Sequence, residues 1–220
     1  MTSAGPPVLV VDDHHLVAAS LAMALRGRGI AAVAVAPAEF VDRLDRPAPP
    51  GGMVMLDLEL GAGLDGTVLV PRLRAAGWEV LIVTGTLDES RVAAAVTAGA
   101  AGWVLKSAPF DELVATAVRV VEGRPLLSDV ERARLRTIAE TVGAADRHRQ
   151  QCWVKLTPRE RQIVDRIVQG KRPTAIAEEF VVSVATVRTQ IRSILTKMEV
   201  GSQLEVAALV RELRRGDGRR

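Results

Sequence analysis

Polar residues follow a series of short apolar runs: VLVV leads into Asp12 and Asp13, MVML into Asp57, VLIV into Thr84 and GWVL into Lys106. Carboxylates gathered at one edge of a sheet repel one another, and each has its pKa raised unless a cation neutralises the group. Oxygen donors without Cys or His suit a hard divalent ion, Mg2+, which keeps several waters and takes one or two carboxylates plus a phosphate oxygen. That combination points to phosphoryl chemistry. Asp57 is the candidate nucleophile, Mg2+ the bridge to the transferring group, and the Thr84 hydroxyl and Lys106 ammonium the partners of its remaining oxygens. Taken singly, Asp13 could cap a helix, Asp57 open a turn, Thr84 favour a strand and Lys106 be a solvated charge. Four polar sites at the ends of four strands favour the joint reading.

The elements that must position these residues alternate strictly. Strand-like runs occur at Pro7–Val11, Ile30–Ala36, Met53–Leu56, Val80–Val83 and Gly102–Leu105. Between them lie Ala- and Leu-rich helical stretches, at about His14–Arg28, Ala38–Arg46, Thr67–Ala76, Glu89–Ala98 and Phe110–Val121. Gly29, Gly77, Gly99 and Gly123 stand where helix C-caps belong. The alternation predicts a five-stranded, doubly wound parallel sheet, with ligand chemistry at the carboxyl ends of its strands. After Asp57, GAGLDG (Gly61, Gly63, Gly66) matches a dinucleotide fingerprint in form. It follows the third strand, and Asp57, Glu59 and Asp65 would repel a pyrophosphate, so it reads as a loop leaving space above Asp57.

Charge divides the 220 residues in two. Residues 1–127 carry a net charge of −4 and residues 128–220 a net +7, which makes nucleic acid the leading partner of the second half. Six scattered aromatics and no Tyr argue against a single-strand stacking platform and for duplex DNA. The longest charge-free run, Val92–Leu105, is 14 residues, below the roughly 18 a membrane span needs. The first Lys or Arg is Arg26, so the start lacks the basic region of a secretory signal, and a cytoplasmic protein without a membrane partner is expected. One Cys and three His do not provide a zinc-finger set of the common spacings.

The basic half reads as helices. Ser128 and Glu131 form a capping-box pair for a helix to Val142 that ends at Gly143, and Ala144–Gln151 reads as a flexible connector allowing the domains to move. TPRE opens the next helix, with Thr157 as N-cap, Pro158 first and Glu160 closing the box. A short helix, about Thr174–Phe180, then leads through Val181 and Val182 to Ser183, the cap of a longer helix reaching Met198. Short helix, tight turn and longer helix is a DNA-binding arrangement. In the longer helix Val184, Val187, Ile191, Ile194, Leu195 and Met198 form the buried stripe. Thr189, Arg192, Ser193 and Thr196 point away from it, with Arg188 and Gln190 on its flanks. Arg can bond guanine bidentately and Thr can touch a thymine methyl or a phosphate.

VLVVDDHHLV, MLDLELGAGLDG, LIVTG and GWVLKSAPFDEL resemble the receiver domain of bacterial two-component response regulators. The resemblance implies that Asp57 accepts a phosphoryl group from the phosphohistidine of a sensor histidine kinase. It implies Mg2+ held by Asp13, Asp57 and the backbone carbonyl of Glu59, with Asp12 acting through water. Thr84 and Lys106 would contact the phosphoryl oxygens, Trp103 occupies the aromatic switch position, and Glu59 one that influences autodephosphorylation. The stretch LTPRERQIVDRIVQGKRPTAIAEEFVVSVATVRTQIRSILTKMEV resembles the four-helix DNA-binding domain shared by LuxR-type regulators and the NarL/FixJ class. By that resemblance Arg188, Thr189 and Arg192 face the major groove, and Thr186, Gln190 and Lys197 help hold phosphates. The last helix, opened by Ser202 and Glu205, supplies a dimer contact. Gln190 stands where His is common, Gln203 where Arg is common, and KRP at 171–173 departs from the usual pattern.

The expected architecture is thus α/β plus all-α: a receiver at 7–125, a linker with a helix at 126–153, and a helix-turn-helix domain at 154–217. The expected function is a phosphorylation-controlled transcriptional regulator that binds promoter DNA as a homodimer, with RNA polymerase as a candidate partner. Its own chemistry is confined to phosphotransfer to, and dephosphorylation of, Asp57. An orphan regulator indifferent to phosphorylation is one alternative. An aspartyl-phosphate enzyme acting on a diffusible substrate is another, with no second acid beyond Glu59 to support it.

Overall fold

A computed structural model describes residues 7–217 except 43, 45, 46, 62, 63 and 86. Its residues divide into two compact units, with the division between Glu140 and Thr141.

In the first unit, five parallel strands, β1 (Val8–Val11), β2 (Ala32–Val35), β3 (Met53–Leu56), β4 (Glu79–Thr84) and β5 (Gly102–Leu105), lie in the order β2-β1-β3-β4-β5. Val11 pairs with Leu56 and Leu56 with Ile82, so β1 and β3 end side by side while β4 runs two residues further, to Thr84. The order reverses between β1 and β3, where crossovers leave the sheet in opposite directions and open a crevice at the carboxyl ends. Both faces are covered, and the period-2 alternation sorts the side chains. Val8, Val10, Met53, Met55, Leu81 and Val83 pack with α1 (His15–Gly27) and α5 (Phe110–Val121). Val11, Val54, Leu56, Val80 and Ile82 face a second layer of Phe40, Leu73 and Ala95 from α2 (Pro37–Val41), α3 (Val70–Ala75) and α4 (Glu89–Thr97). Burial on both sides is why these strands read as unbroken apolar runs.

The helix expected at Ala38–Arg46 is shorter than its apolar pattern suggests, ending at Val41 with Asp42 as C-cap; Arg43, Asp45 and Arg46 lie outside the described residues, as does Gly63 of the glycine loop. A larger correction concerns the linker. The helix opened by the Ser128–Glu131 box does not end at Gly143: α6 runs unbroken from Asp129 to Val154, and the expected flexible connector at Ala144–Gln151 is helical. A helical glycine costs about 1 kcal/mol relative to Ala, too little to end a helix rich in Ala, Arg, Glu and Gln. An Asp146–Arg149 ion pair (2.8 Å) supports the turns after it. Leu135 is buried against Val92, Ala93 and Val96 of α4, and Cys152 is buried in the second unit.

The second unit contains α7 (Pro158–Val168), α8 (Pro173–Phe180), α9 (Val184–Met198) and α10 (Gln203–Asp217). Their starts follow the local chemistry. Thr157 and Glu160 form a complete capping box with Pro158 in the first turn, Ser183 accepts from the Thr186 amide, and Ser202 caps Glu205. Ile163, Val164, Ile176, Val187, Ile194 and Val206 form the core. Among the described residues no helix is long and apolar enough to cross a membrane.

Candidate functional site

Asp12 follows β1 and Asp57 follows β3, whose paired ends place the two carboxylates on either side of the crevice. The link is direct: the Asp57 amide donates to the Val11 carbonyl at 3.0 Å. Both carboxylates are buried, at 5% and 2% exposure. Lys106, just past β5, reaches across with its Nζ 2.6 Å from Asp12 Oδ2 and 2.7 Å from Asp57 Oδ2. The other Asp57 oxygen, Oδ1, accepts from the Glu59 amide at 3.1 Å. Burial pushes the Asp57 carboxyl above the ordinary carboxylate value, and the Lys106 contacts offset only part of that cost. Burial also works against the Lys106 charge, but the two carboxylates outweigh it and raise its pKa.

Asp13 does not cap the first helix. His14 is the N-cap residue and makes no side-chain cap bond; its amide donates to Asp12 Oδ1 at 2.7 Å and its Nδ1 lies 2.7 Å from Asp13 Oδ1. Donor atoms of Asp12, Asp13, His14 and Asp57 all lie within 4.8 Å of one another. Thr84 is buried at the end of β4, and its carbonyl accepts from the Lys106 amide at 2.7 Å, so these two strand ends are neighbours.

The glycine-rich loop has a definite task. A Cβ on Gly66 would sit 2.1 Å from the Asp57 backbone carbonyl oxygen, so only glycine allows the loop to pass this close to the Asp57 main chain. Glu59 and Asp65 form an isolated bridge across that loop, and Arg91 of α4 ties it down. Its guanidinium donates to the Leu58 carbonyl at 2.7 Å, to Asp65 at 3.0 Å and to Glu59 at 3.0 Å. Arg91 had no signal in the sequence, because its partners are 26 to 33 residues away.

Trp103 lies three residues before Lys106 on β5. It is half-buried against a cluster that includes Val92 and Val96 of α4 and Leu135 of α6. Trp103 therefore brings β5 into contact with α4 and with the first turns of α6.

In the second unit Arg188, Thr189 and Arg192 are exposed on α9, with Thr186 in its first turn. Val187, Ile191, Ile194 and Met198 are buried on the opposite face. Gln190 is half-buried, and its Oε1 has no hydrogen-bond partner among the described residues. Lys197 is engaged within the unit: its ammonium lies 2.9 and 2.7 Å from the two carboxylate oxygens of buried Glu160, which also accepts from the Ser193 hydroxyl at 2.7 Å. Glu160 thus closes the α7 capping box and pins α9. Although burial opposes its charge, these contacts hold its carboxyl down at about 2. Its capping role was legible from TPRE, but its role as the anchor of α9 was not.

Residues 8–118 match the family described as response regulator receiver domain, and residues 154–210 the family described as bacterial regulatory proteins, luxR family. The transcriptional regulatory protein LiaR of Bacillus subtilis is 28% identical over 91% of this chain and 94% of its own. The transcriptional regulatory protein FixJ of Azorhizobium caulinodans is 30% identical over 92% of this chain and 90% of its own. Among solved structures, the response regulator ChrA of a heme-sensing two-component system is 28% identical, covering 96% of this chain and 99% of its own, with a TM-score of 0.47.

Proposed function

Because the chain belongs to the response regulators of two-component systems, carrying a receiver domain and a LuxR-type DNA-binding domain, we propose that Asp57 is its phosphoacceptor and the exposed face of α9 its DNA reader. The protein is a phosphorylation-controlled transcriptional regulator. The observation that carries the assignment to Asp57 is its setting: a buried carboxylate at the sheet's switch point, with one oxygen on the Glu59 amide and the other on Lys106. The domains are assigned as 7–125 for the receiver, 126–153 for the linker and 154–217 for DNA binding.

The phosphoryl donor is the phosphohistidine of a sensor histidine kinase. An Asp57 oxygen attacks phosphorus, the P–N bond breaks, and its electron pair stays on the imidazole nitrogen. Lys106, already beside Asp57, takes a phosphoryl oxygen, and the Thr84 hydroxyl takes another. The donors around Asp57 are carboxylate oxygens of Asp12 and Asp13 with His14 beside them, a set that fits a hard divalent ion. Asp13, Asp57 and the Glu59 carbonyl would hold Mg2+, with Asp12 acting through water, and the bound ion supplies charge neutralisation on the phosphoryl oxygens. This chemistry is confined to the chain's own Asp57, including its later dephosphorylation, which Glu59 influences.

Occupation of Asp57 shifts Thr84 and Trp103, and through them the surface around α4, toward a state that dimerises on promoter DNA. Arg188, Thr189 and Arg192 read base edges, while Thr186, Gln190 and Lys197 contact phosphates, Lys197 by leaving Glu160. The last helix, α10, supplies a dimer contact, RNA polymerase is the partner at the promoter, and the cytoplasm is the site of action. The test compares phosphorylated and unphosphorylated protein by light scattering and by fluorescence anisotropy on promoter DNA. Phosphorylation is expected to favour the dimer and tighten binding; no change in either would refute the coupling.

A further inference from the structure

A second cluster of ligand-type side chains lies in the DNA-binding unit, apart from the receiver chemistry. His148 and Cys152 are one helical turn apart on α6, and Glu199 follows the last residue of α9. The His148 Nε2 lies 2.9 Å from Glu199 Oε2, while the Cys152 Sγ is 3.8 Å from His148 Nε2 and 3.8 Å from Glu199 Oε1. We propose that His148, Cys152 and Glu199 form a binding site for a zinc-type divalent transition-metal ion that ties α6 to the end of the recognition helix.

The three ligand-type atoms lie within 4.8 Å of one another, close enough to converge on one ion. With metal bonds of about 2.0 Å to nitrogen and oxygen and about 2.3 Å to sulfur, neighbouring donors of a tetrahedral site are roughly 3.3 to 3.6 Å apart. The observed separations lie a few tenths of an ångström on either side of that range, 2.9 Å for His148–Glu199 and 3.8 Å for the two sulfur contacts, so small side-chain rotations bring the three donors onto one ion. A simple His–Glu pair has no need of a sulfur atom facing both partners. Cys152 is 1% exposed, and its thiol is directed at this pair. The His148 and Glu199 side chains are about half exposed, at 56% and 53%, so an ion can reach the thiol without the fold opening, and water can fill a fourth position. Lys155, 4.0 Å from Glu199 Oε1, is the one competing cation among the described residues. Thiolate ligation selects against Mg2+ and Ca2+, which separates this site from the one around Asp57, where no sulfur is present. On binding, the sulfur–metal bond forms as the thiol proton leaves to solvent. Glu199 is the left-handed C-cap residue of α9 (φ 57°), its amide donating to the Leu195 and Thr196 carbonyls.

The spacing along the chain conceals the set, because Glu199 is 47 residues from Cys152. The single cysteine makes the test clean. The reduced full-length protein is titrated with Co2+ in excess Mg2+ and followed by optical absorption. Expected is a one-to-one thiolate-to-cobalt charge-transfer band with tetrahedral d–d bands, displaced by Zn2+ and unaffected by Asp57→Asn. Cys152→Ser abolishes the thiolate band, and because that position is buried, the partly exposed His148→Gln and Glu199→Gln variants provide the second arm. Each is expected to weaken Co2+ binding by more than about tenfold. Absence of a thiolate band, or affinity unmoved by both exposed variants, overturns the site.

Discussion

Lys106 places one ammonium between two buried carboxylates, 2.6 Å from Asp12 and 2.7 Å from Asp57. Removing it leaves both acids buried without their cation. Lys106→Met is therefore expected to lower the melting temperature of the receiver unit by several degrees, on the order of 2 kcal/mol. Added Mg2+ should recover more stability in this variant than in the parent, because the ion takes over a charge the lysine no longer balances. Thermal melts with and without Mg2+ check this, and equal Mg2+ shifts in both proteins would contradict it.

Gly66 passes so close to Asp57 that a methyl group would overlap the Asp57 carbonyl oxygen. Gly66→Ala must displace the backbone that aims the carboxylate. The expected outcome is a loss of about 2 kcal/mol or more, with phosphorylation of Asp57 reduced while the second unit melts unchanged. Calorimetry and phosphorylation assays on the same preparation measure both parts.

Glu160 gives the DNA-binding unit an acid-sensitive anchor. Its folded carboxyl is held at about 2, below its ordinary 4.5. A depressed folded value means that the stabilisation is fully present above about pH 4.5 and is lost as pH falls from there through about 2. The amount at stake is on the order of 2–3 kcal/mol. Glu160→Gln should flatten the acid limb of this unit's stability in denaturant titrations across that window, and it frees Lys197 as well.

The strand ends were legible because unbroken apolar runs stop at polar residues, so Asp12, Asp57, Thr84 and Lys106 marked themselves. The caps at Ser128, Thr157 and Ser183 were legible because capping chemistry is local. The continuity of α6 was not. A lone glycine and a polar stretch resemble a boundary, yet the cost of Gly143 is small beside the burial of Leu135 at one end and Cys152 at the other. Arg91 on Glu59 and Asp65, and Lys197 on Glu160, were hidden because such pairs depend on chain crossings that no local pattern records.

Arg188 and Lys197 should behave differently on DNA. Exposed Arg188 is proposed as a base reader, so Arg188→Ala is expected to weaken specific binding by about 1–3 kcal/mol and relax one base position. Lys197→Ala should weaken all sequences alike and also destabilise the unit, since it leaves Glu160 buried without its cation. Binding to cognate and random duplexes at several salt concentrations separates the two, and equal losses on both duplexes for Arg188→Ala would remove it from base reading.

The most direct measurement is intact-protein mass spectrometry after incubation with acetyl phosphate, with and without Mg2+, using Asp57→Asn as control. A single Mg2+-dependent phosphoryl adduct, absent from the variant, is the predicted result. No adduct on the folded protein, or an adduct that persists in Asp57→Asn, would contradict Asp57 as the residue through which this regulator is controlled.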